Sequence, residues 1–237
     1  MKLKATSVLF VLVFFIGSEM NAQKKKPQNK SWYDDKYMHY GFTIGFNTMD
    51  FLSTPSQFSS QSDSLYPEVT SLKPGINIQI VTNGRLSDHF DIRFLPGVSF
   101  GQRTINFYRN KVLYNDKQRL ESSFLEFPLI LKFKGDRLNN VRPYVIAGLN
   151  YRYDLAAKKE YDDEKAVYIR LKKPDLYIET GAGMDFYLTY FKLSIEAKLS
   201  GGLTDVLVQE PAPGHAEFYN AIAKLRSQIW VLSFHFE

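Results

Sequence analysis

The chain has 237 residues, enough for one large domain, and is mildly basic, with a formal net charge of +5 and a pI near 9.1. It contains no cysteine, which excludes a disulfide scaffold, a thiolate metal site and a lipid-anchoring cysteine. Its Lys and Arg residues form no long block beyond Lys24–Lys26, so the sequence does not predict nucleic-acid binding. The 19 Phe and 15 Tyr residues favour β-strands and membrane interfaces.

The beginning of the chain has the pattern of an export signal. Lys2 and Lys4 precede the short apolar run Val8–Ile16, and the small residue Ala22 follows after a polar stretch. A run of this length is too short for a membrane-spanning helix, so we predict a signal peptide over residues 1–22. The alternative is a buried helix at the start of a cytoplasmic protein. Residues 23–38 are predicted to form an extended, basic periplasmic tail.

Eight later segments alternate apolar and polar residues. In the clearest, Lys192–Leu199, every second residue is apolar. A period of two predicts a strand with one apolar and one polar face. The eight strands are predicted at residues 39–47, 74–84, 89–101, 123–134, 142–154, 176–187, 191–203 and 227–236.

The gaps between these strands alternate between long and short. Residues 48–73, 102–122, 155–175 and 204–226 form the long gaps, and residues 85–88, 135–141 and 188–190 form the short ones. Outer-membrane barrels have short periplasmic turns and long external loops. We therefore predict an all-β fold over residues 39–237, an eight-stranded antiparallel up-and-down barrel that contacts outer-membrane lipid. Both ends of the barrel domain are expected to face the periplasm.

The apolar parity of each strand is predicted to face lipid. At the periplasmic ends six aromatic residues fall on this parity, and amphipathic rings settle at the headgroup level of a bilayer. The predicted aromatic girdle consists of Tyr40, Phe90, Phe133, Phe186, Phe191 and Phe236, with Phe46, Phe100, Tyr151 and Tyr153 as its external counterpart. A soluble lipocalin-like barrel with the two faces exchanged has the same alternation and is the alternative.

The opposite parity places charges of both signs in the lumen. An eight-stranded barrel is roughly filled by its own side chains, and an unpaired charge in a low-dielectric interior is costly. We therefore predict a structural network of ion pairs, with an ion pathway as the alternative. The predicted network consists of Arg93, Glu126, Lys132, Arg152, Glu179, Asp185, Lys192, Glu196 and Lys198.

The sequence predicts no catalytic residue, no metal site and no cofactor. The sequence has no evident nucleophile–base pair, phosphate-binding glycine loop or carboxylate pair in a cleft. His39, His89 and His235 are expected on the inward parity at the periplasmic mouth. There they are either ordinary lumen histidines or a metal-binding or pH-sensing cluster. The acidic run Tyr161–Glu164 lacks the alternating ligands of a calcium loop and is expected to be solvated.

Several segments resemble one family. They are Tyr33–Asn47 (YDDKYMHYGFTIGFN), Leu125–Phe133 (LEFPLILKF), Arg142–Gly148 (RPYVIAG), Glu179–Leu188 (ETGAGMDFYL) and residues 233–237 (SFHFE). Together they resemble the PorT-like outer-membrane β-barrel family of Bacteroidetes, called SprT in gliding species. The resemblance implies an accessory or assembly role in the type IX secretion system, which exports proteins and serves gliding motility. It implies other type IX secretion components as partners and no catalytic residue.

Three other functions stay open. The first is a structural or adhesive outer-membrane barrel without a secretion role. The second is an outer-membrane lipid enzyme that would use the three histidines of the mouth. The third is a soluble ligand-binding barrel. A barrel of eight strands is too narrow to pass a folded protein through its lumen, so we do not expect this barrel to be the secretion conduit.

Overall fold

The structure is a computed structural model that describes residues 29–56, 66–68, 73–109, 112–157, 169–208 and 220–237. Within these residues the chain forms ten strands and a short 3-10 helix at Ser31–Asp35. No helix in the described part is long and apolar enough to cross a membrane. The predicted signal peptide at residues 1–22 lies outside the described residues. The strands are β1 (Met38–Pro55), β2 (Tyr66–Glu68), β3 (Pro74–Arg85), β4 (Phe90–Phe94), β5 (Gly97–Arg109), β6 (Val112–Lys134), β7 (Val141–Asp154), β8 (Pro174–Tyr187), β9 (Lys192–Gly202) and β10 (Ile222–Phe236).

The sheet closes into an antiparallel barrel, because β1 pairs with β10 on one side and with β3 on the other. β4 and β5 lie end to end between β3 and β6, with one continuous register across Leu95 and Pro96. Pro96 lacks the N–H that the ladder needs, so one barrel strand is divided there. β2 is three residues long and pairs only with β5. The ten strands thus build an eight-membered barrel, and the predicted fold class is confirmed.

All three connections at one end of the barrel are short, 86–89, 135–140 and 188–191. The long connections lie at the other end, where β5 and β6 are also separated by only two residues. The predicted long gap at residues 102–122 is wrong, because β5 and β6 continue through it as a hairpin that pairs Arg109 with Val112. β1 also continues past the predicted end to Pro55, and β10 begins at Ile222 instead of residue 227. The barrel is therefore taller at the long-loop end than the alternation predicts.

The apolar face of the strands changes sides along the barrel. We call the short-turn side of the Thr48–Trp230 pair the lower barrel, and the long-loop side the upper barrel. In the lower barrel the outward side chains are apolar: Leu129 is 53% exposed and Leu232 is 43% exposed. In the upper barrel the outward Arg226 is exposed, whereas Phe51 points inward and is buried. The lower barrel has the outer surface of a protein in hydrocarbon, and the upper barrel has that of a protein in water.

An apolar cluster fills the upper barrel at the long-loop mouth. The loop residues Leu171 and Leu207 form a β-bridge with each other and join this cluster. Burial of apolar surface is the main stabilising contribution in such a cluster. The cluster consists of Phe51, Ile105, Phe107, Ile169, Leu171, Val206, Leu207, Ala221, Ile222 and Leu225.

Candidate functional site

All nine predicted lumen residues lie inside the barrel and are buried. Alternation places them there, because one parity of each strand points to the axis. They are Arg93, Glu126, Lys132, Arg152, Glu179, Asp185, Lys192, Glu196 and Lys198. They fall into two groups, one near the middle of the barrel and one near the short-turn mouth.

Arg152 is the centre of the middle group. Its Nε lies 2.9 Å from Glu126 Oε1, and one terminal nitrogen lies 3.0 Å from Glu179 Oε1. Lys198 Nζ lies 2.8 Å from the other oxygen of Glu179. Gln79 donates a further hydrogen bond of 2.7 Å to Glu126. Each carboxylate is thus held by a cation and by at least one neutral donor, which is what a buried charge requires.

Glu237 completes the group near the short-turn mouth, and the sequence analysis missed it. Its carboxylate lies 2.9 Å from Lys192 Nζ and 3.5 Å from a terminal nitrogen of Arg93. Arg93 also lies 3.1 Å from Glu196. Glu237 shares the inward parity of His235, so the alternation of the last strand could have identified it.

A tyrosine and a glycine pack together beside this group. Lys132 Nζ lies 2.8 and 2.7 Å from the two oxygens of Asp185, and 3.7 Å from the centroid of the Tyr144 ring. The Tyr144 hydroxyl donates a 3.0 Å hydrogen bond to Glu196. A Cβ at position 183 would lie only 2.5 Å from the Tyr144 ring. Glycine at position 183 therefore allows the tyrosine to lie across the lumen.

Arg103 is a buried cation that the sequence analysis placed in a loop. It lies on β5 in the upper barrel, 3.3 Å from Asp154 and 3.0 Å from the Ser227 hydroxyl. Its guanidinium carbon lies 4.2 Å from the centroid of the Phe51 ring. Arg103 thus joins the polar lumen to the apolar cluster above it.

The six predicted girdle residues lie at the short-turn end on the outward face. Tyr40 is the most exposed of them, at 66%, and Phe236 is partly covered because its ring lies 4.9 Å from that of Phe42 and 5.9 Å from that of Phe191. Phe90 and Phe133 are 5.0 Å apart across the β4–β6 pair. Such a ring of aromatic side chains is typical of a headgroup-level belt. The full set is Tyr40, Phe90, Phe133, Phe186, Phe191 and Phe236.

The three histidines do not all lie together in the lumen. His39 and His235 are buried on the paired strands β1 and β10, and His235 Nδ1 hydrogen-bonds the Thr43 hydroxyl at 2.6 Å. The prediction that His89 points inward is wrong. It lies exposed in the turn before β4, with its ring 6.3 Å from that of the outward Phe133.

Among the described residues, no group of three His, Cys, Asp or Glu side chains could hold a metal ion. The acidic run at residues 161–164 lies outside those residues.

The tail closes the short-turn mouth instead of extending away from it. Its described part begins at Asn29, and the 3-10 helix inserts Tyr33, which is only 6% exposed. The Tyr33 ring stacks on His39 at 4.0 Å, and its hydroxyl donates a 3.0 Å hydrogen bond to Glu237. Lys192 Nζ lies 4.7 Å from the ring centroid. Burial, together with the Glu237 carboxylate, raises the pKa of Tyr33 above its ordinary value, so the phenol stays protonated.

Asp34 fixes the same segment to the rim of the barrel. Its carboxylate accepts hydrogen bonds from the Tyr187 hydroxyl at 2.9 Å, from Arg137 at 3.1 Å and from Arg142 at 3.4 Å. Its backbone oxygen accepts a hydrogen bond from Arg85. Burial disfavours the charged form, but the Tyr187 hydrogen bond and the two guanidiniums outweigh it and hold the pKa of Asp34 below its ordinary value. Asp34 is therefore an anion at neutral pH.

The barrel has an apolar outer band, an interior of paired charges, and short turns at one end with the long loops at the other. These features define a class of protein, the outer-membrane β-barrels. A model of the outer membrane protein beta-barrel domain family matches residues 21–208, and the chain belongs to that family. The protein is therefore located in the outer membrane, as predicted. Its short-turn end corresponds to the periplasmic end of such barrels, and its long-loop end to the external one.

Several solved structures are similar to this chain. The outer membrane protein OprG of Pseudomonas aeruginosa is 12% identical, with 90% of this chain and 96% of that one covered and a TM-score of 0.46. Neisserial surface protein A is 11% identical, with 85% and 99% covered and a TM-score of 0.40. Ail of Yersinia pestis, in complex with the heparin analogue sucrose octasulfate, is 9% identical, with 85% and 98% covered and a TM-score of 0.39. No curated protein shows a significant match. Family membership rests on the family match alone.

Proposed function

We propose that this protein is a non-enzymatic accessory of the type IX secretion system that acts through protein partners and is not the conduit. The segments that resemble the PorT-like family support the secretion role. The paired charges of the lumen support the proposal that the protein acts through partners and is not the conduit. A lumen filled by paired charges leaves the outer surfaces of the barrel for contacts with other proteins. The domain organisation that goes with this proposal is a cleaved signal peptide at 1–22, a periplasmic tail at 23–38 and the barrel at 39–237.

The observation that carries the second part of this proposal, that the barrel is not a conduit, is the mutual pairing of the lumen charges. Arg152 bridges Glu126 and Glu179, and Lys132 holds both oxygens of Asp185. A transported ion would have to displace one partner of a buried pair, and breaking such a pair costs about 3–5 kcal/mol. A structural lumen is therefore favoured over an ion pathway.

Two surfaces are available to partners. On the periplasmic side, Trp32 is 52% exposed and lies beside Lys36, whose Nζ is 4.4 Å from the indole ring. On the external side, the β5–β6 hairpin projects beyond the lipid-facing band, and Val112 near its tip is 68% exposed. Aromatic residues are enriched at the centres of protein interfaces, so we expect the tail surface to contact secretion components.

The test is deletion of the gene in its host, followed by measurement of the secretion of type IX cargo. We expect cargo to accumulate inside the deletion strain and export to return with the wild-type gene. An Arg226→Ala gene, changed at an exposed upper-barrel position, should restore export equally. Normal cargo secretion in the deletion strain would overturn the proposal.

The second candidate is a structural or adhesive barrel without a secretion role, and the projecting β5–β6 hairpin is the observation that favours it. A hairpin that rises above the lipid-facing band can contact external surfaces directly. Replacement of the end of the hairpin, residues 108–113, with a two-residue Asn-Gly turn should then abolish surface binding and leave cargo export unchanged. Loss of export with unchanged surface binding would favour the secretion role instead.

A further inference from the structure

The periplasmic mouth is built around two adjacent tail residues. One part of it is an aromatic slot in which Tyr33 packs between His39 and Tyr187, with ring centroids 4.0 and 6.0 Å away. The other part is a carboxylate clamp in which Arg137 and Arg142 face Asp34. The slot selects a flat ring that carries a donor, and the clamp selects an anion.

The same segment is also held through its backbone. Asn29 receives a hydrogen bond from Arg137 at its carbonyl, and its N–H donates to the Asn140 side chain at 2.8 Å. Its own side-chain amide donates to the Tyr187 carbonyl at 3.1 Å. His39 Nε2 donates to the Tyr33 carbonyl at 2.9 Å. Backbone contacts at both ends of the turn mean that the site recognises a peptide shape as well as two side chains.

We propose that the periplasmic mouth is a recognition site for a peptide turn in which an aromatic residue precedes an acidic one. Residues 29–36 occupy this site in cis as a latch that closes the lumen. The proposal does not depend on the secretion role, because its contacts lie wholly within this chain.

The next residues along the tail provide a matched control for each contact. Asp35 follows Asp34 but is exposed, and Tyr37 has the same ring as Tyr33 but is 79% exposed. A latch that depended on general charge or hydrophobicity would treat the two members of each pair alike. A specific site distinguishes Asp34 from Asp35 and Tyr33 from Tyr37.

The tethered tail should compete strongly with any free peptide. A segment joined by a short linker has an effective concentration in the millimolar range at its own site. A free peptide should therefore bind weakly while the latch is docked, and more tightly once the latch is weakened. The Asp34→Asn change weakens it because the anion that Arg137 and Arg142 hold is lost.

The experiment measures anisotropy of a fluorescein-labelled peptide of residues 29–37 against the chain from Gln23 onward, refolded in detergent micelles. We expect at least roughly tenfold tighter binding to the Asp34→Asn protein than to the wild type, because the tethered competitor is weakened. A peptide with the Asp34→Asn change should lose roughly tenfold in affinity, as expected for loss of a charged contact. A peptide with the Asp35→Asn change should bind like the unmodified peptide.

Two results would overturn the site. One is equal binding of the peptide to wild type and Asp34→Asn protein, and the other is equal loss for the Asp34→Asn and Asp35→Asn peptides. Trypsin cleavage after Lys36 is the second measurement, and the protease-resistant barrel core reports folding in the same gel. The Asp34→Asn protein should be cleaved faster than the wild type, whereas the Asp35→Asn protein should not. Equal cleavage of folded Asp34→Asn and wild-type protein would also overturn the latch.

Discussion

The lower and upper barrels bury the same face of each strand, but the buried residues are mostly polar in the lower barrel and mostly apolar in the upper barrel. On β1 the inward Thr43 and Asn47 of the lower barrel are polar, whereas the inward Met49 and Phe51 of the upper barrel are apolar. The outward face changes in the opposite sense, from Ile44 to Asp50 and Thr54, with Leu52 as an apolar residue between them. β1 is one continuous strand through this point. The surroundings of the barrel change from hydrocarbon to water at this level, and the residues on each face of the strand change in polarity accordingly.

The two mouths differ in the same way. The external mouth is closed by an apolar cluster to which separate long loops contribute. The periplasmic turns at 86–89, 135–140 and 188–191 are too short to cross a barrel mouth. A separate segment, the tail, closes it through hydrogen bonds and ion pairs. The upper closure should therefore be insensitive to pH and salt, and the lower one should respond to both.

The largest effect is expected from the middle group of lumen charges. The Arg152→Ala change leaves Glu126 and Glu179 without the cation between them. We expect the free energy of unfolding to fall by about 3–5 kcal/mol, as for other broken buried pairs. Urea unfolding in lipid vesicles measures it. The control is Arg226→Ala, which removes an exposed arginine of the upper barrel and should change stability by less than about 0.5 kcal/mol. Equal losses would mean that the lumen pairs do not stabilise the barrel.

The next largest effect on stability is expected from a charged residue placed on the outward face of the barrel. Leu129 and Leu52 have nearly the same exposure, 53% and 55%, but lie in the lower and upper barrel respectively. A lysine at position 129 faces hydrocarbon and should cost about 2–4 kcal/mol, the value for cations near the bilayer midplane. A lysine at position 52 faces water and should cost almost nothing. Unfolding of Leu129→Lys and Leu52→Lys in vesicles compares them directly, and equal costs would contradict the position of the bilayer.

The sequence predicted the lower barrel well, because its alternation is regular. All nine predicted lumen charges are buried, and the chosen outward residues such as Leu129 and Leu232 are exposed. It failed where the apolar parity changes from even to odd numbers on β1, between Phe46 and Met49. In a sequence, such a change of parity has the same appearance as the end of a strand. For this reason β1, β5, β6 and β10 were predicted too short. The four strands would have been predicted at their full length if the apolar residues had been allowed to move from the outward to the inward parity where a strand leaves the lipid.

The mouth contacts could not be predicted in the same way. Tyr33 and Asp34 lie in a polar, basic stretch without periodicity, which favours an extended tail. Their partners Arg137, Arg142 and Glu237 are remote in sequence and meet only when the barrel closes. The resemblance included YDD among the tail residues but assigned them no contact. Only the three-dimensional arrangement reveals that the tail is folded onto the mouth.

A smaller effect is expected from a single hydroxyl at the periplasmic mouth. The Tyr187→Phe change removes the donor that lies 2.9 Å from Asp34, and keeps the ring that Arg137 covers at 3.6 Å. We expect latch docking to weaken by about 1.5 kcal/mol, the value for a hydrogen bond to a charged group. Trypsin cleavage after Lys36 should then be roughly tenfold faster. The control is Tyr190→Phe, at a residue 87% exposed. An unchanged cleavage rate in Tyr187→Phe would mean that this hydrogen bond does not hold the latch.

The smallest effect at physiological pH is the titration of Asp34. Its pKa is lower in the docked latch than the ordinary value of about 3.9 that it regains on release. The ionised carboxylate therefore stabilises docking above about pH 4, and this contribution is lost as the pH falls through the docked pKa. The groups that face it are Arg137 and Arg142, with Arg85 at its carbonyl and the Tyr187 hydroxyl beside it.

Trp32 reports this step once Trp230, the other tryptophan of the chain, is replaced in a Trp230→Phe background. Its fluorescence should stay constant from pH 7 to about pH 5 and change below about pH 4, and the added Asp34→Asn change should remove the acid step. A step near pH 6 that survives Asp34→Asn would assign control of the latch to His39, which donates to the Tyr33 carbonyl. In that case the periplasmic mouth would open in mild acid, and the carboxylate clamp would be a static part of the rim.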